Sequence, residues 1–142
     1  MKKFFFNIIL SAVIVCVLSG ACAVSASEEN YCPRGVAESV KSMAGVKDCS
    51  VIYIGDKAVA AVLPQAIFTK SDKDFLKQNI LLKMLSYRKT AKAAVTFDLD
   101  VYLKMKKLEE QIKSGAAITD ISEDLISVVS ILEKRGELIA AG

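Results

Sequence analysis

The sequence predicts an α+β fold: an αββαβ core, with a small three-stranded mixed sheet and two helices on one face, followed by a C-terminal pair of helices. Three observations predict it. Two β-rich alternating segments, residues 49–54 and 57–63, meet across Gly55-Asp56, a two-residue turn signal with glycine first. Val101, Met105, Leu108 and Ile112 recur at intervals of four, three and four residues, the period of a helix with one buried face. The second strand, a helix over 71–87 and a third strand over 91–97 form a βαβ unit, whose strands run parallel through a right-handed crossover.

Taken in order, the chain opens on a segment unlike the rest. Lys2 and Lys3 precede an almost wholly apolar run from Phe4 to Leu18, which is about 15 residues and short of the roughly 20 that span a bilayer as a helix. Small residues from Ser19 to Ala26 follow. This is a secretory signal peptide, residues 1–21 or alternatively 1–26. Leu18-Ser19-Gly20-Ala21-Cys22 resembles a bacterial lipobox, with Cys22 as the lipidated residue and Ser19 where leucine is usual. Ordinary cleavage after Ala23 or Ala26 is the alternative. An acylated Cys22 would hold the protein on a membrane, since each buried CH₂ adds about 0.8 kcal/mol.

Residues 22–33 then read as an anchor and short polar tether, and residues 34–142 as a single domain. A first helix over 34–44 has Val36, Val40, Met43 and Ala44 on one stripe and stops at Gly45. Ser71 caps the helix over 71–87, whose inward side is Leu76, Ile80, Leu81, Met84 and Leu85. Ala93, Val95 and Phe97 share one face of the third strand. Asp100 caps the next helix, which Gly115 ends. Thr119 or Asp120 opens the last one, with Ile121, Leu125, Val128, Val129 and Leu132 inward, and Gly136 leaves a short tail.

Composition narrows the chemistry. The 142 residues include no His, which removes the commonest general base, the Ser-His and Cys-His nucleophile pairs and the usual zinc ligand. Without Lys2 and Lys3, 17 basic side chains face 16 acidic ones, a balance that argues against a nucleic-acid partner. Cys32 and Cys49 form an even pair in an exported chain, for which a disulfide is the default. A helix about 15 Å long lies between them, so the chain would have to double back to join them. Two buried free thiols are the alternative.

Residues 44–51 (AGVKDCSV) followed by 55–62 (GDKAVAAV) resemble the YhcN/YlaJ family of sporulation lipoproteins, as does the later pattern Asp100, Met105, Ile112, Gly115, Ile118, Leu125 and the apolar run from Ile126 to Leu132. The resemblance spans nearly the whole mature chain. It implies a spore-forming setting and a place on the outer face of a spore or cell membrane, and it brings no catalytic residues or cofactor. The αββαβ order is also similar to ring-building and BON-type modules of envelope assemblies, in topology alone.

Several groups invite a sharper reading. Asp98 and Asp100 close a strand as a carboxylate pair but also suit a strand exit and helix cap. Glu109-Glu110 and Glu123-Asp124 read as solvated helix faces. Lys83, Arg88, Lys89 and Lys92 gather near a helix C-terminus, where cations are favourable in their own right and where they could also meet anionic headgroups. Ser86-Tyr87-Arg88-Lys89 fits S-x-x-K without companion motifs. The expectation is therefore an exported, lipid-anchored, non-catalytic structural or interaction protein of the envelope or spore membrane, self-associating through a free sheet edge or meeting an envelope protein. A small-ligand-binding domain, with a pocket between sheet and C-terminal helices, is the alternative.

Overall fold

The computed structural model describes residues 28–65 and 69–140. The signal segment and Cys22 lie outside them. The elements are α1 (Glu28–Tyr31), α2 (Arg34–Lys41), β1 (Val46–Ile54), β2 (Lys57–Pro64), α3 (Lys70–Tyr87), β3 (Lys92–Thr96), α4 (Leu99–Lys113), α5 (Ile118–Lys134) and β4 (Ile139–Ala140). They form an α+β domain around one mixed sheet of order β1-β2-β3-β4.

The hairpin forms as its sequence dictates. Ile54 pairs Lys57 across Gly55-Asp56, and Gly55 takes a φ of 58°, a conformation that costs a residue without a Cβ nothing. β2 and β3 run parallel, joined by α3. Alternation along the strands then divides the apolar side chains between two cores. Cys49, Val51 and Tyr53 of β1, with Ala58, Ala60, Val62, Ala93 and Val95, face α2 and α3, which contribute Val36, Val40, Leu76, Ile80 and Met84. Ile52, Val59, Ala61 and Ala94 face the other way, toward Val101, Met105, Leu108 and Ile112 of α4 and Ile121, Leu125, Val128 and Leu132 of α5. The first two long helices thus cover one face as expected. The C-terminal pair covers the other, α4 lying across β1 and β2 and α5 packing on α4.

The structure corrects the three-stranded sheet. Beyond Gly136 the tail returns beside β3, where Ile139 pairs Ala93 and Ala140 pairs Lys92 antiparallel. Two residues are too few to show a period of two, so the sequence carries no signal for this strand. Residues 28–33, read as part of a tether, also fold. Tyr31, at the end of α1, and Cys32 just after it pack on the α4–α5 core. β1 begins at Val46 rather than Cys49, because a bulge between Val46 and Asp48 interrupts the alternation.

Helix starts differ from expectation by one or two residues, each for a local reason. Thr69, not Ser71, caps α3: its hydroxyl accepts from the Asp72 amide at 3.2 Å, and the Asp72 carboxylate accepts from the Thr69 amide in return. Both Thr69-x-x-Asp72 and Ser71-x-x-Asp74 fit the pattern, and the outer one wins. Asp98, not Asp100, caps α4, accepting from the Val101 amide at 3.0 Å. α5 begins at Ile118 after Ala117, with no side-chain cap. Replacing Thr69 by alanine is expected to lower the unfolding free energy by about 1 kcal/mol, read as a shift in the urea midpoint at constant slope.

Candidate functional site

The densest polar cluster lies where α4 crosses the start of β1. Tyr102, Lys106, Glu109 and Lys113 recur at four, three and four residues, one position along from the apolar stripe, and so form a second stripe facing the edge strand. The Tyr102 hydroxyl donates to Asp48 Oδ2. Lys106 Nζ lies 3.2 Å from Asp48 Oδ2 and 3.3 Å from Glu109 Oε2. Lys113 Nζ donates to Glu109 Oε1 at 2.9 Å, and Lys41 Nζ, at the end of α2, reaches Asp48 Oδ1 at 3.2 Å. The cluster therefore ties both helical layers to the sheet edge. Glu109, read from sequence as part of a solvated face, is buried.

Electrostatics within the cluster favour the ionised pairs. Burial pushes the Asp48 carboxyl up, but hydrogen bonds from Tyr102, Lys41, the Cys49 amide and Lys106 overrule it and hold its pKa at about 2. Burial, and then the bond to Asp48, pushes the Tyr102 hydroxyl up to about 12. Glu109 follows the same pattern: burial raises its pKa, and Lys113, Ser50 and Lys106 bring it below the ordinary value. The Ser50 hydroxyl is buried beside Glu109, in a geometry that falls short of a hydrogen bond.

A second constellation fastens the N-terminal segment. The Arg88 guanidinium lies 4.8 Å from the Tyr53 ring centroid and 5.9 Å from that of Tyr87, a cation–π arrangement. It donates to the Asn30 carbonyl at 2.8 Å, while the Tyr87 hydroxyl donates to Glu29 Oε1 at 2.7 Å. Tyr53, buried, donates to the Met84 carbonyl at 2.7 Å. Arg88 is thereby withdrawn from the set expected to meet an anionic surface. Lys83, Lys89 and Lys92 are exposed, with no ion pair among the described residues. Nothing in the spacing of Arg88 marked it for an internal role, since its partners lie 58 residues upstream in the chain.

Other candidates are structural. Asp98 binds Arg135 at 2.7 Å as well as capping α4, and Asp100 is an exposed first-turn acid. Ser86 donates to the Lys83 carbonyl on an exposed helix surface. Cys32 and Cys49 are both free and buried, and they lie in different cores with the sheet between them, so the default disulfide gives way to two thiols. Burial pushes each up to about 12. The interface between the sheet and α4–α5 is filled by buried side chains, and the hollow of about 180 Å³ beside these helices lies at their outer junction, lined by Lys104, Lys107, Leu108, Asp124 and Ser127. Among the described residues no helix is long and apolar enough to cross a membrane.

These features define a small layered α+β domain whose polar groups secure its own edge and fasten its N-terminal segment. Residues 30–130 match the profile of the sporulation lipoprotein YhcN/YlaJ family, and the chain belongs to that family. Membership makes it a sporulation lipoprotein, exported and held at a membrane. A search of curated proteins finds no match.

Proposed function

We propose that this protein is acylated at Cys22 and holds a catalytically silent domain against the outer face of a spore or cell membrane, acting there through its surfaces. The carrying observation is the family match combined with the lipobox-like Leu18–Cys22 segment just ahead of the matched region. The fastening of α1 supports it. With Glu28 already docked, Cys22 stands six residues away, a span of at most about 20 Å, so the domain rides close to its anchor.

The polar chemistry favours contact over catalysis. Asp48 and Glu109 are committed to lysines, Asp98 to a cap and Arg135, and the thiols are held protonated by burial. Among the described residues β4 pairs only Lys92 and Ala93 of β3, and Ala94, Val95 and Thr96 beyond them are buried rather than open to a partner strand. Self-association or an envelope protein partner would instead use the outer surfaces of the helices, where Phe75, Leu82, Leu103 and Ile126 are exposed.

Intact mass of the mature protein from its native membrane tests the reading. The expected product begins at Cys22 and carries a diacylglyceryl thioether, and Cys22→Ser moves the protein from the membrane to the soluble exported fraction. A mature chain beginning at Val24 or Ser27, with no added lipid, would overturn the anchor.

A further inference from the structure

Helix α3 is apolar on both sides. Leu76, Ile80 and Met84 fill the core, yet Phe75 and Leu82, seven residues apart and hence on one side of the helix, are 69% and 66% exposed. Folding does not call for this outer pair, because a surface helix ordinarily presents polar side chains to water. Two hollows of about 450 and 440 Å³ flank it and share Met43 and Asn79, which joins them into one shallow trough between α3 and the end of α2.

The same stretch is the basic part of an otherwise balanced domain. Residues 70–89 carry six cations against Asp72 and Asp74. The opposite layer, α4 and α5 together, carries seven acids against five lysines, because Lys104, Lys106, Lys107 and Lys113 of α4 offset the acids of α5. The α3 side is therefore the more basic of the two outer layers, and an anionic surface would favour it.

Chain length brings that side within reach of a membrane. α1 is pinned to the C-terminal end of α3 through Tyr87–Glu29 and Arg88–Asn30. Leu82 lies five residues from Tyr87, about 7.5 Å along the axis, less than the span left between Glu28 and Cys22. We infer that the outer face of α3 rests on anionic lipid headgroups, with Phe75 and Leu82 entering the interface and Lys83 and Lys89 facing the phosphates. This contact rests on the acyl anchor proposed above and adds a fixed orientation to it.

The mature, membrane-derived protein reconstituted into vesicles tests it. An environment-sensitive fluorophore is attached at Gln78→Cys, between Phe75 and Leu82 on α3, or at Ser127→Cys on α5, while Cys32 and Cys49 stay buried. In vesicles of phosphatidylcholine with one-third phosphatidylglycerol, the label at 78 is expected to shift to the blue and be quenched by bilayer-embedded quenchers, and the label at 127 to stay water-like. Reversing Lys83 and Lys89 to Glu should shift the docked-to-undocked ratio at least tenfold, at roughly fivefold per lysine lost. Water-like signals at both positions, from protein that still floats with the vesicles, overturn the contact and leave the anchor standing. Failure to float with any vesicle overturns both. Shielding at 78 that is equal in detergent and in pure phosphatidylcholine, with copies cross-linking there, assigns the face to a second copy and overturns the lipid contact.

Discussion

Replacing Glu109 by alanine is expected to lower the unfolding free energy by about 2–3 kcal/mol, one of the largest single effects on this domain. Its side chain is only 8% exposed and bridges Lys106 and Lys113. Removing one member of a fully buried pair costs about 3–5 kcal/mol, because the other is left uncompensated. Here Lys113 is half in water and can hydrate, and Lys106 keeps Asp48, so the cost falls below that range. Glu109→Gln separates charge from volume. It fills the same space, and a loss of about 1–2 kcal/mol would then belong to the missing charge. Urea titrations of the three proteins at pH 7 provide the measurement. An alanine variant as stable as the parent would mean that desolvation of the carboxylate cancels all that its lysines return.

What the sequence made legible follows from repetition. Apolar residues at helical or alternating intervals declared α4, α5, the hairpin and β3, because burial repeats along each of them. The glycine-first turn fixed the hairpin register by itself. Features built from single residues or long-range pairs were not legible in the same way. β4 is two residues of an ordinary tail, and Cys32 enters a core without periodic neighbours. Arg88 looked like any cation at a helix end until the fold brought two tyrosine rings and the Asn30 carbonyl to it. Glu109 did carry a signal. It stands four residues after Met105 and three before Ile112, on the edge of the buried stripe, with Lys106 and Lys113 at helical spacing on either side. An acid in that position, bracketed by lysines, points inward more readily than outward. Its partner strand lay 59 residues away and could not be read from spacing.

The two sheet edges are covered in different ways. On the β1 side, α1 lies along the strand, and the lysine–carboxylate cluster closes the gap between α4 and the end of α2. The segment that leads to Cys22 therefore doubles as cover for an exposed strand. On the β3 side two residues of β4 pair Lys92 and Ala93, and Ala94, Val95 and Thr96 beyond them are buried.

Alkaline pH is expected to destabilise this domain from about pH 9 upward. Burial raises Cys32 and Cys49 from 9.0 to about 12, so the folded protein keeps two protons that the unfolded chain releases. A group whose pKa is higher in the folded state contributes stability that is complete below its unfolded pKa and is lost as pH rises toward the folded one. The window therefore runs from about pH 9 to pH 12. With two thiols the limiting slope is about 2.7 kcal/mol per pH unit, and the loss from pH 9 to 10.5 comes to about 3 kcal/mol. Tyr53 and Tyr102, both raised from 10.0 to about 12, extend the decline above pH 10. Cys49→Ala will lower the baseline by opening space in the α2–α3 core, but its diagnostic effect is on the slope, which should halve between pH 9 and 10. Urea unfolding at half-unit intervals from pH 8 to 10.5 reads both quantities. A profile flat across that range would show that neither thiol ionises on unfolding, as a bridged pair would behave, and would overturn the assignment of Cys32 and Cys49 to separate cores.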